Sequence, residues 1–149
     1  MRLSGACEDG ALVQLWLTRR LADRLLPLLL NWLGQQAGEG AHAEVMQEFA
    51  QQAAREALAP LPSVRAQDDS SMLVQAVDVT TGDNALGLAF KAGGPSDEAG
   101  YRIGFEAQAL RQWLGILHDQ YRKAEWPVDA WPSWITSAGQ PASAGVPLH

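Results

Sequence analysis

Cysteine is almost missing from the chain. Cys7 is the one in 149 residues, so no internal disulfide can form and the fold must rest on packing. Its neighbours Glu8 and Asp9 disfavour a thiolate, which argues against a reactive nucleophile. Lysine is scarce too, with two against nine arginines, and the formal net charge is −6. A phosphate backbone demands a basic surface, so nucleic acid is not an expected partner. No apolar run approaches the roughly twenty residues of a membrane span. The longest, Leu25 to Leu33, is interrupted by Pro27 and Asn31 and preceded by Arg19, Arg20, Asp23 and Arg24. A membrane-surface role for this stretch, with Trp32 as anchor, is disfavoured by the acidic balance. The first nine residues carry neither a secretory h-region nor a lipidation pattern, so the expected location is cytoplasmic. The alanine- and arginine-rich, lysine-poor composition suggests a bacterial source.

Motifs with a chemical mechanism are missing as well. There is no Gly-x-Ser-x-Gly elbow. The Gly93-Gly94-Pro95 loop lacks the lysine of a phosphate-binding loop. His42, His118 and His149 show no metal-binding spacing, and His118 and Asp119, adjacent on a helix, point about 100° apart. Asp68, Asp69, Asp78 and Glu106 have no spacing that brings them together. No catalytic set, metal or cofactor is expected.

What is present is a patterned globular chain, 47% hydrophobic and 19% charged. Residues 11–18 alternate as a strand, with Val13, Leu15 and Leu17 on one face and Trp16 on the other. Thr18 is placed to cap a helix over 19–35 that Pro27 bends, and Gly34 to Gly40 stops it. A second helix is expected over 41–58. Its apolar stripe (Val45, Met46, Phe49, Ala50, Ala53, Ala57) should face inward, with Glu44, Gln47, Glu48, Gln51, Gln52 and Arg55 in solvent. Three strands follow at 72–80, 85–91 and 101–105, and their short connections call for antiparallel pairing. Leu110, Leu114, Leu117 and Tyr121 mark a last helix over 106–124, with Arg122 and Lys123 suited to its C-terminus.

The expected fold is therefore α+β, in the order β-α-α-β-β-β-α, with one four-stranded, mainly antiparallel sheet and helices packed on one face. Residues 1–10 are read as a flexible N-terminus and 11–125 as the domain. A Trp/Pro-rich segment, 126–135, either folds back or stays exposed, and 136–149 form a disordered tail.

Six tryptophans are more than such a core needs. Trp126, Trp131 and Trp134 are read first as folding back in a lid over an exposed sheet or helix edge; otherwise they form, with Trp16, the candidate contact surface, because indoles are enriched at interfaces. The leading reading is a non-enzymatic protein-interaction or assembly protein with an unknown protein partner, self-association to a homodimer included. The competing one is a small-molecule-binding protein or enzyme, with a pocket between the sheet and the first helix where Asp78, Arg102 and His118 converge. Asp78, between Val77 and Val79, is read first as an outward-facing aspartate paired across the sheet; in the competing scheme Arg102 on a neighbouring strand is its partner.

Overall fold

Alternation of apolar and polar residues makes strands where expected, but the computed structural model distributes them over two sheets. It describes residues 1–6, 12–38, 40, 42–58, 71–92 and 100–137. Cys7, Asp68, Asp69, His149, the Gly93-Gly94-Pro95 loop and most of the expected tail lie outside the described residues.

The elements run β1 (Arg2–Ala6), β2 (Leu12–Leu17), α1 (Arg19–Ala37), α2 (Ala43–Ala57), β3 (Ser71–Val74), β4 (Ala76–Thr81), β5 (Leu86–Lys91), β6 (Tyr101–Phe105), α3 (Ala107–Lys123) and α4 (Ser133–Thr136). The class is α+β. The single four-stranded sheet is not found. One three-stranded sheet has the order β1-β2-β3 and another β4-β5-β6.

Two local facts account for the difference. Arg2–Ala6, expected as loose chain, pairs antiparallel with β2, with Leu3 opposite Leu15 and Gly5 opposite Val13. The apparent strand 72–80 divides at Gln75. Its first part, β3, lies parallel to β2, with Leu15 opposite Met72 and Leu17 opposite Val74. Its second part, β4, is antiparallel to β5, with Val77 opposite Phe90 and Val79 opposite Leu88. Gln75 N–H donates to Lys91 O at 2.8 Å, so the second ladder begins at the break itself. A parallel pair needs a long crossover, and the chain between β2 and β3, which includes α1 and α2, supplies it. The short-connection argument therefore holds for β4 and β5 but not for β3.

The chain gathers into two compact units, each made of two separate stretches: Met1–Trp32 with Pro60–Gly104, and Leu33–Ala59 with Phe105–His149. In the first, Val13, Leu15 and Leu17 of β2, Leu86, Leu88 and Phe90 of β5, and Ala22, Leu25, Leu26 and Leu29 of α1 are buried. Thr18 Oγ1 accepts the Leu21 N–H at 3.2 Å and caps α1, which continues through Pro27. Trp32, fully buried, donates its indole N–H to Gly82 O at 2.9 Å, which ties α1 to the turn after β4.

In the second unit α3 follows its sequence pattern: Leu110, Leu114, Leu117 and Tyr121 are buried. Helix α2 does not. It forms where expected, but its buried residues are Gln47, Gln51 and Ala54. Met46 and Phe49 stand 57% and 65% exposed, with Val45 beside them. The helix is turned about its axis so that amide side chains, not the apolar stripe, face inward.

Candidate functional site

The reversal of α2 is made possible by what α3 offers it. Gln47 and Gln51 are four residues apart and share one side of α2. Arg111 enters between the helices and donates through one guanidinium nitrogen to Gln47 O at 3.5 Å and through the other to Gln47 Oε1. Gln47 Nε2 donates to Leu33 O at 3.0 Å, and Gln51 Nε2 to Arg111 O at 2.8 Å. From α3, Gln112 Nε2 reaches Ala54 O at 2.9 Å. Buried amides are tolerated only when their groups are bonded, and here most of them are. A helix with amides on one side and apolar residues on the other could pack either way; this network favours the amide side.

Arg111 is 5% exposed, and burial pushes its guanidinium pKa below the ordinary value. Its Cζ sits 5.3 Å from the centre of the Trp134 ring, a cation–π contact. No carboxylate among the described residues pairs with it. One turn further along α3, the side of the helix facing α2 carries Gly115, whose missing side chain leaves Gln51 Nε2 3.6 Å from where a Cβ would stand.

A cavity of about 210 Å³ opens here, lined from α2 by Gln51, Arg55 and Leu58 and from α3 by Arg111, His118 and Asp119, with Ile116 and Ile135 supplying apolar wall. His118 is buried, and desolvation lowers its pKa; Asp119 opposes this while Arg122 and Arg55 add to it. Burial therefore favours the neutral form of the ring. Gln51 Oε1, His118 Nε2 and Trp131 Nε1 are buried with no hydrogen-bond partner.

The tryptophan segment is placed by a helix terminus. Glu125 takes a left-handed φ of 57° after α3, Trp126 N–H returns to Tyr121 O at 3.0 Å, and Glu125 N–H to Arg122 O at 3.1 Å. These are the paired bonds of a Schellman stop, and its usual hydrophobic contact is present as an edge-on Trp126–Tyr121 pair, with ring centres 5.1 Å apart. The chain then returns along α3. Trp131, 5% exposed, lies 5.1 Å from His118 and 5.3 Å from Tyr121, ring centre to ring centre. Trp126 and Trp134 are half-buried.

The sequence candidates thus separate. Trp16, 44% exposed, belongs to β2 in the first unit, while Trp126, Trp131 and Trp134 belong to the second. Asp78 pairs with Lys91 at 2.7 Å, not with Arg102. The reason is strand order: β5 lies next to β4, and Arg102 is on β6 beyond it. Asp78 and Arg102 belong to the first unit and His118 to the second, and neither Asp78 nor Arg102 lines the cavity at His118. What sequence reasoning missed was Gln47, Gln51 and Arg111. The signal available for them was two glutamines at helical spacing with Ala54, and an arginine one step from the leucine stripe of α3.

No group of three His, Cys, Asp or Glu side chains suited to a metal occurs among the described residues, and none of their helices is long and apolar enough to cross a membrane. Compared with known proteins, the chain matches no family model, no curated sequence and no solved structure.

Proposed function

We propose that the chain is a non-enzymatic protein-interaction module whose contact face is the outward apolar stripe of α2. The observation that carries this reading is the reversal of the helix. Val45, Met46 and Phe49 stand in solvent while glutamines occupy the interior. Large exposed apolar residues grouped on one helix face mark a contact surface. Beside the stripe runs a groove of about 500 Å³ walled by Met46, Ala50, Ala53, Ala54 and Ala107 together with the polar Gln36, Gln108 and Arg111, and its four alanines leave room for a partner's large side chain. The flank toward Glu48 and Glu56 is acidic: Glu44, Glu48 and Glu56 are exposed there against one arginine, Arg55. The partner that fits is an amphipathic segment with large apolar residues on one face, laid along the stripe, and basic residues on the flank facing Glu48 and Glu56. A bacterial, cytoplasmic setting suits such an adaptor and remains part of the proposal.

A fluorescent helical peptide with leucines at i, i+4 and i+7 and lysines on the flank tests it. Anisotropy should show binding to the wild type, a loss of about tenfold or more with Phe49→Glu, equal to about 1.4 kcal/mol, and weaker binding of the same peptide with glutamate flanks. Equal binding by wild type and Phe49→Glu, or no binding of the lysine peptide, overturns the reading. Sedimentation on the same samples identifies a second copy as the occupant, should Phe49→Glu convert a dimer to a monomer without any peptide binding.

A further inference from the structure

We infer that the cavity between α2, α3 and α4 is a binding site for a small organic carboxylate bearing a hydroxyl group. The inference does not depend on the outward apolar stripe of α2; it uses the opposite side of that helix, with Arg111 the one residue that also lines the groove beside the stripe.

Charge comes first. Arg111 is buried and lines the cavity, yet no carboxylate among the described residues neutralises it. A buried ion left without a counter-charge is costly, and proteins keep such ions paired or solvated. Arg55 and Asp119 on the cavity wall cancel one another, so the lining carries one net positive charge, that of Arg111. A guanidinium offers planar donors matched to a carboxylate. Two of the Arg111 nitrogens already hold Gln47, and a guanidinium has five N–H groups, so donors remain.

The remaining polar groups set the second feature. Gln51 commits its amide N–H to Arg111 O, which leaves Oε1 as a buried acceptor without a donor. An anion alone cannot satisfy it; a hydroxyl can. His118 Nε2, also on a cavity-lining residue and also unpartnered, belongs to a ring whose neutral form burial favours. It can serve the same hydroxyl as donor or acceptor, depending on its tautomer. Leu58, Ile116 and Ile135 supply apolar wall for the body of the ligand. The volume of 210 Å³ is about seven times the ~30 Å³ share of a liquid water, room for a single ring or a short chain.

The probe is 4-hydroxybenzoate, compared with benzoate and with uncharged 4-hydroxybenzamide by calorimetric titration of the full chain. The acid should bind at least about tenfold tighter than the amide, through Arg111, and tighter than benzoate, through Gln51. Arg111→Gln should abolish the preference for the charged ligand. Because that variant also cuts the Arg111–Gln47 bonds, Gly115→Leu provides a second arm: it fills the cavity from α3, leaves Arg111 in place, and should cost at least about tenfold in affinity. Phe49→Glu, on the far side of α2, should bind the acid as the wild type does, so failure of the docking face and failure of this site are read separately. Acid and amide binding equally, an unaffected Gly115→Leu, or no heat from either acid at millimolar concentration overturns the inference.

Discussion

At Glu125 a single backbone angle turns the tryptophan segment back. A non-glycine residue in the left-handed region costs roughly 1 kcal/mol, and the position follows α3 as the C′ residue of its terminal motif. Glu125→Gly should therefore raise stability by about 0.5–1 kcal/mol, read as a higher urea midpoint with an unchanged slope. His118 gives a pH signature. Its folded pKa is lowered by burial, so its contribution is present above the ordinary value near 6.5 and is lost as pH falls below it, when the unfolded chain takes up a proton that the folded chain refuses. Denaturant midpoints at pH 7.5 and 5.5 should fall for the wild type and fall less for His118→Phe, which keeps a ring against Trp131. Equal slopes would remove the assignment. By contrast the Asp78–Lys91 pair is a cross-strand contact between an exposed aspartate and a half-buried lysine, and Asp78→Asn should change stability by less than about 1 kcal/mol.

Elements decide more than residues do here, and α2 shows why. Its sequence carries two competing stripes, one apolar and one of amides with Ala54, and either satisfies helical spacing. Because the apolar stripe lies outside, Phe49→Ser should leave folding within about 0.5 kcal/mol of wild type, whereas Leu114→Ala, on the buried face of α3, should cost about 2–5 kcal/mol. The amide side should show coupling. Arg111→Met leaves Gln47 Oε1 without its donor and should cost about 1–3 kcal/mol, part of which returns in the double variant with Gln47→Leu. Independent, additive losses would mean that the two side chains do not act as a unit.

For the whole molecule the relevant fact is that each compact unit is assembled from two stretches distant in sequence. Helix α2 finds its buried partners on α3, about sixty residues later. A helix of fifteen residues is marginal in water by itself. A peptide of residues 33–59 should therefore show little helical circular dichroism, as should that stretch in a fragment ending before α3. The formal charge of −6 belongs to the same scale, and duplex DNA should not be retained at physiological salt.

Local chemistry alone determined much of this protein: the α+β class, the Thr18 cap and α1, α3 with its buried stripe, β5 and β6, and the position of α2 along the chain. Those features depend on neighbours a few residues away, and periodicity and capping report such neighbours directly. Which face of α2 is buried, the division of 72–80 between two sheets at Gln75, the parallel pairing of β3 with β2, and the company Arg111 keeps were decided by the tertiary structure. Each depends on what a distant segment presents. A glutamine is surface in one setting and core in another, according to whether a carbonyl or guanidinium stands opposite it, and no spacing along the chain records that.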